Sequence, residues 1–450
     1  MNKDFITHLR TLVAQRAFRK IKEELSEYDP VDIAEELNEL PPAELVFFFR
    51  LLPKDMASEV FELIELETQQ TFLNHASDEE VGAMLEDMSD DDRTELFDEL
   101  PAKTVKRLLK QLSPEERRLA NRLLGYPAES AGRIMTPEYI DLKGTMTVAQ
   151  ALQKIRRVAE GKETIYTTFV TDPSRHLIGA VSLEDLIMAQ PTDLVSDVMD
   201  IAPLWVHTTD DQEDAARTLS RYDLHTLPVV DSEERLVGII TFDDVLDVLE
   251  EEATEDFELA AGVSPLEEDY LDVPLFTMLR KRFTWLVICI LAESLTSSVM
   301  RVYEPVLSQA VALSFFVPLL IGTGGNSGAQ SAALMVRSMT LGHFQWNKLG
   351  RLLGRETIVG LALGASLGLL ALGRAWLMGP STAVLFAVGI GLCAVVTVAN
   401  LVGIFLPLIA RLCRFDPAVM SGPLITTVVD VVGVAIYFQV AQWCLATFGS

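Results

Sequence analysis

The stretch LITTVVDVVGVAIYF, residues 424–438, is fit for hydrocarbon except for two threonines and one carboxylate, Asp430. An ionisable side chain in a spanning segment costs roughly 2.5 to 3.5 kcal/mol or more on insertion scales, so it reads as functional by default. A structural hydrogen bond to a neighbouring helix is the plainer alternative. Thr426 and Thr427 precede Asp430 by one helical turn, so all three can share a face. Asp416 lies about 21 Å earlier on helix geometry. That puts it near the cytosolic mouth, where before Pro417 it serves equally well as a helix cap.

Other oxygen-bearing residues lie in apolar surroundings. FFVPLLIGTGGNSGAQSAALM carries Asn326, Ser327 and Gln330, and ANLVGIFLPLIA carries Asn400 and Pro407. Pro318 with Gly322, Gly324, Gly325 and Gly328 makes a continuous helix expensive. A broken span is therefore expected, and irregular backbone at membrane depth is tolerated only inside protein or along a watery cavity. A small-residue packing surface is the competing reading. Carboxylate, amide, hydroxyl and carbonyl oxygens without thiol or imidazole suit a hard cation. Mg²⁺ dehydrates reluctantly and keeps several waters, so few protein ligands are needed. A stripped K⁺ prefers rings of carbonyls instead. This chemistry does not choose among Mg²⁺, Mn²⁺ and Co²⁺.

The elements that position these residues divide the 450-residue chain. Its formal charge is −28, yet only five of 65 acids, with eight of 37 bases, lie beyond residue 283. The front is a strongly acidic region that repels nucleic acid and attracts cations; the back is a membrane region. Five spans are expected near 283–302, 306–335, 355–375, 382–410 and 418–447, each long enough for a core roughly 30 Å thick. Basic residues Arg280, Lys281 and Arg282, then Lys348, Arg351 and Arg355, then Arg411 and Arg414 mark cytosolic ends. The front is thus expected in the cytosol and the C-terminus outside. MNKDFITHLR has no apolar signal-peptide region. Cys289, Cys393, Cys413 and Cys444 form no C-x-x-C pair and read as packing residues, and six scattered histidines make no zinc-like or haem-like set.

Residues 20–125 alternate leucines at helical spacing with Leu-Pro or Met-Ser stops, a pile of short helices. Ser113-Pro114-Glu115-Glu116 reads as an N-cap with proline at N1. From Ala131 a unit of roughly 60 residues occurs twice. Each copy has a Met-containing start, a helix capped near Thr147 or Thr209-Asp210, and two apolar strands before a final helix. HLIGAVSLEDL and RLVGIITFDDV align without a gap. This plan resembles a tandem pair of CBS domains, which usually sense rather than catalyse. An acidic, helix-favouring stretch, LEEEATEDFELAAG, follows.

The order of these parts, with AESAGRIMTPEY, DVLDVLEEEATED, PLLIGTGGNSGAQS and DPAVMSGPLITTVVD, resembles the MgtE family of magnesium channels over nearly the whole chain. The resemblance implies a multidomain membrane protein. Its parts would be an all-α superhelical domain (1–130), two α/β CBS domains (131–192 and 193–250), a long connecting or plug helix (251–275) and a five-helix transmembrane domain (276–450). It implies a homodimer in the bacterial plasma (inner) membrane that takes up Mg²⁺, with Asp430 as the central pore carboxylate. By the same motif match, Asp211, Glu213, Asp223, Asp244 and Asp247 would bind regulatory Mg²⁺ in the second CBS domain. Glu252, Glu255 and Asp256 would do so on the plug, and Asp87 and Asp91 in the helical domain. Divalent ions between facing acids would favour a compact, closed state by differential affinity.

Two departures matter. The family commonly has a second amide where this chain has Ala329. Its adenosine-nucleotide site favours a basic and an aromatic residue where this chain has Glu184 and Leu224. Asp185 could hold a ribose hydroxyl, but an added carboxylate beside a polyphosphate weighs against ATP as a ligand. The rival functions are a proton-coupled divalent-cation exporter and a membrane-anchored nucleotide sensor. No nucleophile–base set and no P-loop phosphate cradle points to an enzyme.

Overall fold

The computed structural model describes residues 4–15, 17–266, 270, 273–340, 342–420 and 422–448. Residues 267–269, 271 and 272 of the expected connecting segment, and residue 421 of the fifth span, lie outside them. The chain divides into two units, Met1–Glu250 and Glu251–Ser450.

In the first unit the described residues begin with ten short helices, α1 (Asp4–Ala14) through α10 (Pro114–Leu123), which share one apolar core. Capping sets their starts. Ser77 and Glu80 form a capping box on α7 (Asp78–Asp87), and Ser89 caps α8 (Asp90–Glu99). Ser113 caps α10 with Pro114 in its first turn, as expected. Arg93, almost fully buried, pairs with Asp90 and with Glu116 of α10 and donates to the Leu85 carbonyl, so its charge is compensated.

Each CBS copy is a three-stranded sheet with one parallel and one antiparallel pairing. The first has β1 (Asp141–Leu142), α11 (Val148–Val158), β2 (Thr167–Thr171), β3 (Leu177–Ser182) and α12 (Leu183–Met188). The second has α13 (Val195–Val198), β4 (Val206–His207), α14 (Gln212–Arg221), β5 (Thr226–Val230), β6 (Leu236–Thr241) and α15 (Phe242–Ala261). Thr147 caps α11, but the second copy starts its helix later than the repeat suggested. Asp211 is the N-cap of α14, while Asp210 accepts from the His207 amide. The copies interlock through their starts: Thr136 pairs with Ile239 of β6, and Asp200 pairs with Ala180 of β3. The Met-containing starts thereby gain a reason. A Cβ on Gly179 would sit 2.5 Å from Met199 Sδ, and one on Gly238 equally close to Met135 Sδ.

The second unit has five helices long and apolar enough to cross a membrane among its described residues. They are α16 (Leu275–Val302), α18 (Val317–Thr340), α19 (Leu349–Trp376), α20 (Thr382–Leu412) and α21 (Gly422–Phe448), with a short α17 (Glu304–Gln309) between the first two. The second span is not broken as the sequence suggested. α18 runs continuously through the glycine run, and a 3-10 turn at Val311–Phe316 precedes it. Pro318 falls in the first turn, where a missing amide donor costs nothing.

The glycines are spent on close helix contact. Along α19, Gly360, Gly364 and Gly368 meet Thr397, Cys393 and Gly389 of α20 in register, and an added Cβ at each would lie within 3 Å of backbone there. A Cβ on Gly403 of α20 would lie 2.2 Å from the Gly328 carbonyl of α18. Cys444 is buried and Cys393 belongs to this seam.

Candidate cation sites

In the second unit the candidate is a carboxylate set against a glycine face. α21 presents Asp430 towards Gly325 of α18, whose added Cβ would be 3.7 Å from Asp430 Oδ1 and 3.1 Å from the Thr426 methyl. The glycine relieves crowding against Thr426 and leaves Asp430 at ordinary van der Waals distance. Asp430 Oδ1 is buried and has no hydrogen-bond partner among the described residues. An acceptor in that condition is costly unless a cation or water completes it.

Thr426 and Thr427 both donate their hydroxyl hydrogens to the Pro423 carbonyl, at 2.9 and 2.8 Å. Their oxygens keep acceptor capacity, with Thr427 buried and Thr426 partly exposed. Pro423 sits in the first turn of α21.

The other expected pore oxygens do not all converge here. Asn326 and Gln330 are exposed and one turn apart on α18, beside the glycine face rather than on it. Asn400 is buried in the seam between α20 and α18, where its Oδ1 accepts from Ser327 Oγ at 2.5 Å. Asp416 is exposed and caps the short 3-10 turn Pro417–Val419 by accepting from the Ala418 amide.

The first unit holds a separate acidic cluster. Asp91, in the first turn of α8, is buried, and its Oδ1 has no hydrogen-bond partner among the described residues. Asp244, in the first turn of α15, accepts from the Thr241 amide and hydroxyl. Burial raises both carboxyls, Asp244 to about 6 and Asp91 well above its ordinary range, and Asp244 further repels Asp91. Asp92 and Asp247 are also raised, by burial first and then by Asp243.

Asp92 and Asp243, each next to an expected acid, were not anticipated, nor were two members far from any of them. Glu163, on the loop after α11, is raised to about 7 by burial and by Asp244, Asp243 and Asp92. Glu62 is raised to about 8 by burial and by Asp92. No local pattern marks either one; each is an ordinary acid on a helix or loop until the fold buries it.

The remaining expected regulatory acids are distributed. Asp87 is exposed at the end of α7. Asp211 caps α14, Glu213 pairs with Arg217 of the next turn, and Asp223 is exposed with φ +52. Glu252, Glu255 and Asp256 share one face of α15 by their spacing. Asp185, near the start of α12, accepts from the Ser182 hydroxyl at 2.6 Å and is exposed.

Among the described residues no group of three or more His, Cys, Asp or Glu side chains is placed to hold a metal ion.

Residues 317–440 match a family described as MgtE, divalent cation transporter. Residues 28–129 match the MgtE intracellular N domain, and 131–191 and 195–251 match CBS domains. A protein of Thermus thermophilus named magnesium transporter MgtE is 38% identical over 449 residues, 99% of each chain. One of Bacillus subtilis with the same name is 30% identical, over 97% of each chain. A crystal structure of the cytosolic domain of the Mg²⁺ channel MgtE in complex with ATP is 38% identical to this chain, with a TM-score of 0.51. It covers 53% of this chain and 98% of its own. The soluble part of a magnesium transporter matches at 30% identity and TM-score 0.52, over 55% and 97%.

Proposed function

Because the chain belongs to the MgtE family, we propose that it is a Mg²⁺ channel for uptake across the bacterial plasma membrane, closed by intracellular Mg²⁺. The observation that carries the reading is Asp430: a carboxylate inside a spanning helix, with a buried and unpartnered oxygen, set against the glycine face of α18. Mg²⁺ is the substrate. Asp430 attracts it, its waters mediate most contacts, and the hydroxyl oxygen of Thr426 offers one further acceptor. One carboxylate with retained water binds tightly enough to select charge and weakly enough to release the ion.

Gating would act through the first unit and α15. Without divalent ions Asp91, Asp92, Glu163, Asp243 and Asp244 repel one another, which opposes the compact arrangement. Mg²⁺ between them, and at Glu252, Glu255 and Asp256, would favour that arrangement by differential affinity and hold the pore shut. The functional form would be a homodimer with the acidic domains in the cytosol and the C-terminus outside. ATP is not assigned a role, since Glu184 stands beside Asp185.

The test is Mg²⁺ influx into liposomes holding the full-length protein, with low or high Mg²⁺ on the cytosolic side. Wild type should conduct only at low Mg²⁺, and Asp430→Asn should conduct poorly at both. An Asn variant that conducts like wild type would make Asp430 structural, and a wild type that carries no Mg²⁺ would end the channel reading.

A further inference from the structure

Asp430 is not the only carboxylate within the membrane span. Glu293 lies on α16, eleven residues past Arg282, which is about 16 Å along the helix and near the middle of a core roughly 30 Å thick. Asp430 lies about 12 Å from the start of α21, and α16 packs on α21. Both helices begin at ends marked cytosolic by basic residues, so the two acids fall at similar depth. The two acids therefore stand on neighbouring, packed helices at the same level.

After Glu293, α16 carries a run of hydroxyl residues, Ser294, Thr296, Ser297 and Ser298. Thr296, one turn later on the same side, has a buried hydroxyl oxygen with no hydrogen-bond partner among the described residues. Val299 and Met300 continue that side into the apolar core of the unit. Glu293 itself is exposed, and no cationic side chain pairs with it among the described residues. A lone ionised carboxylate at mid-membrane does not face lipid at tolerable cost; it faces the bundle or water. The direction that supplies both polar neighbours and a reason for its charge is the side of α21 that carries Asp430.

We propose that Glu293 is a second carboxylate of the ion path, so that a hydrated divalent cation at this depth faces two acids from two helices of one chain. The inference rests on the pore reading of Asp430. It assigns Glu293 to attraction of the ion through its water shell, with Asp430 still the principal site. Among the described residues no ion pair holds either acid, and the intervening water is supplied by the ion.

Full-length wild type, Glu293→Gln, Glu293→Asp and Asp430→Asn are compared in liposomes at low Mg²⁺ on the cytosolic side. Glu293→Gln should lower Mg²⁺ flux severalfold and raise the Mg²⁺ needed for half-maximal flux about tenfold. Glu293→Asp should recover most of both. An assembled Gln variant with unchanged flux and half-saturation, beside an inactive Asp430→Asn, overturns the inference and leaves the pore reading intact. A wild type without Mg²⁺ flux overturns both.

A second measurement needs no variant. A water-soluble carbodiimide, read by mass spectrometry on wild type, should modify Glu293 and be slowed by Mg²⁺. Modification only by a lipid-soluble carbodiimide, indifferent to Mg²⁺, places Glu293 against lipid and overturns the inference.

Discussion

Asp91 of α8 and Asp244 of α15 lie far apart in sequence, yet Asp244 is near enough to push the buried Asp91 carboxyl up. Replacing both with asparagine keeps an oxygen to accept from the Thr241 amide and removes two mutually repelling charges. The double variant should gain about 1–3 kcal/mol in metal-free stability. Its Mg²⁺-dependent rise in melting temperature should shrink well below that of wild type. Thermal unfolding of the full-length protein in detergent, with and without Mg²⁺, checks this. An undiminished Mg²⁺ response would remove the pair from the sensor.

The same acids set a pH dependence whose sign follows from their direction. Glu62, Glu163 and Asp244 are raised to about 8, 7 and 6 from ordinary values near 4. The folded unit therefore binds more protons than the unfolded chain. The stabilisation is fully present below about pH 4 and is lost as pH rises through 6 to 8. Metal-free protein should become more open as pH climbs from 5.5 to 8.5, and the stabilisation gained on adding Mg²⁺ should grow over the same interval. Hydrogen exchange of α8 amides at several pH values, with and without Mg²⁺, reads both trends. Flat exchange would show these acids are ionised alike in both states.

Packing and conduction can be separated in the membrane unit. Ser327→Ala leaves the buried Asn400 oxygen without its donor and should cost about 1–2 kcal/mol of stability while preserving Mg²⁺ flux. Gly403→Ala drives a methyl into the Gly328 carbonyl, which should cost about 1–3 kcal/mol or more and spread α18 from α20. Melting temperatures in detergent, paired with liposome flux, check both. Loss of flux in a stable Ser327→Ala protein would move Asn400 from the seam to the ion path.

The nucleotide question turns on Glu184 and Leu224. Wild type should bind ATP weakly or not at all by calorimetry, and Glu184→Arg with Leu224→Phe should raise the affinity by at least about tenfold, since one repulsive charge becomes an attractive one. Tight ATP binding by wild type would show that Glu184 points away from the phosphates.

Hydropathy and length alone placed the five spans, because a helix that crosses hydrocarbon must be apolar for its whole length. The two CBS units were legible in a gapless internal repeat, and the caps at Ser113 and Thr147 in local hydrogen-bond chemistry. Asp430 declared itself because an acid among valines is expensive. Other features depend on which surfaces meet. Helix propensity argued against a helix through Gly322–Gly328, but it reports on isolated helices in water. In a tight seam the absent Cβ lets backbones touch, and α18 stays continuous. Asn400 looked like a pore amide by composition, whereas the facing Ser327 is what holds it in the seam. Glu62, Glu163 and Asp92 are unremarkable acids in sequence. Only folding strips their water and sets them beside one another, because desolvation and like-charge repulsion belong to the assembled surface rather than to any residue in it.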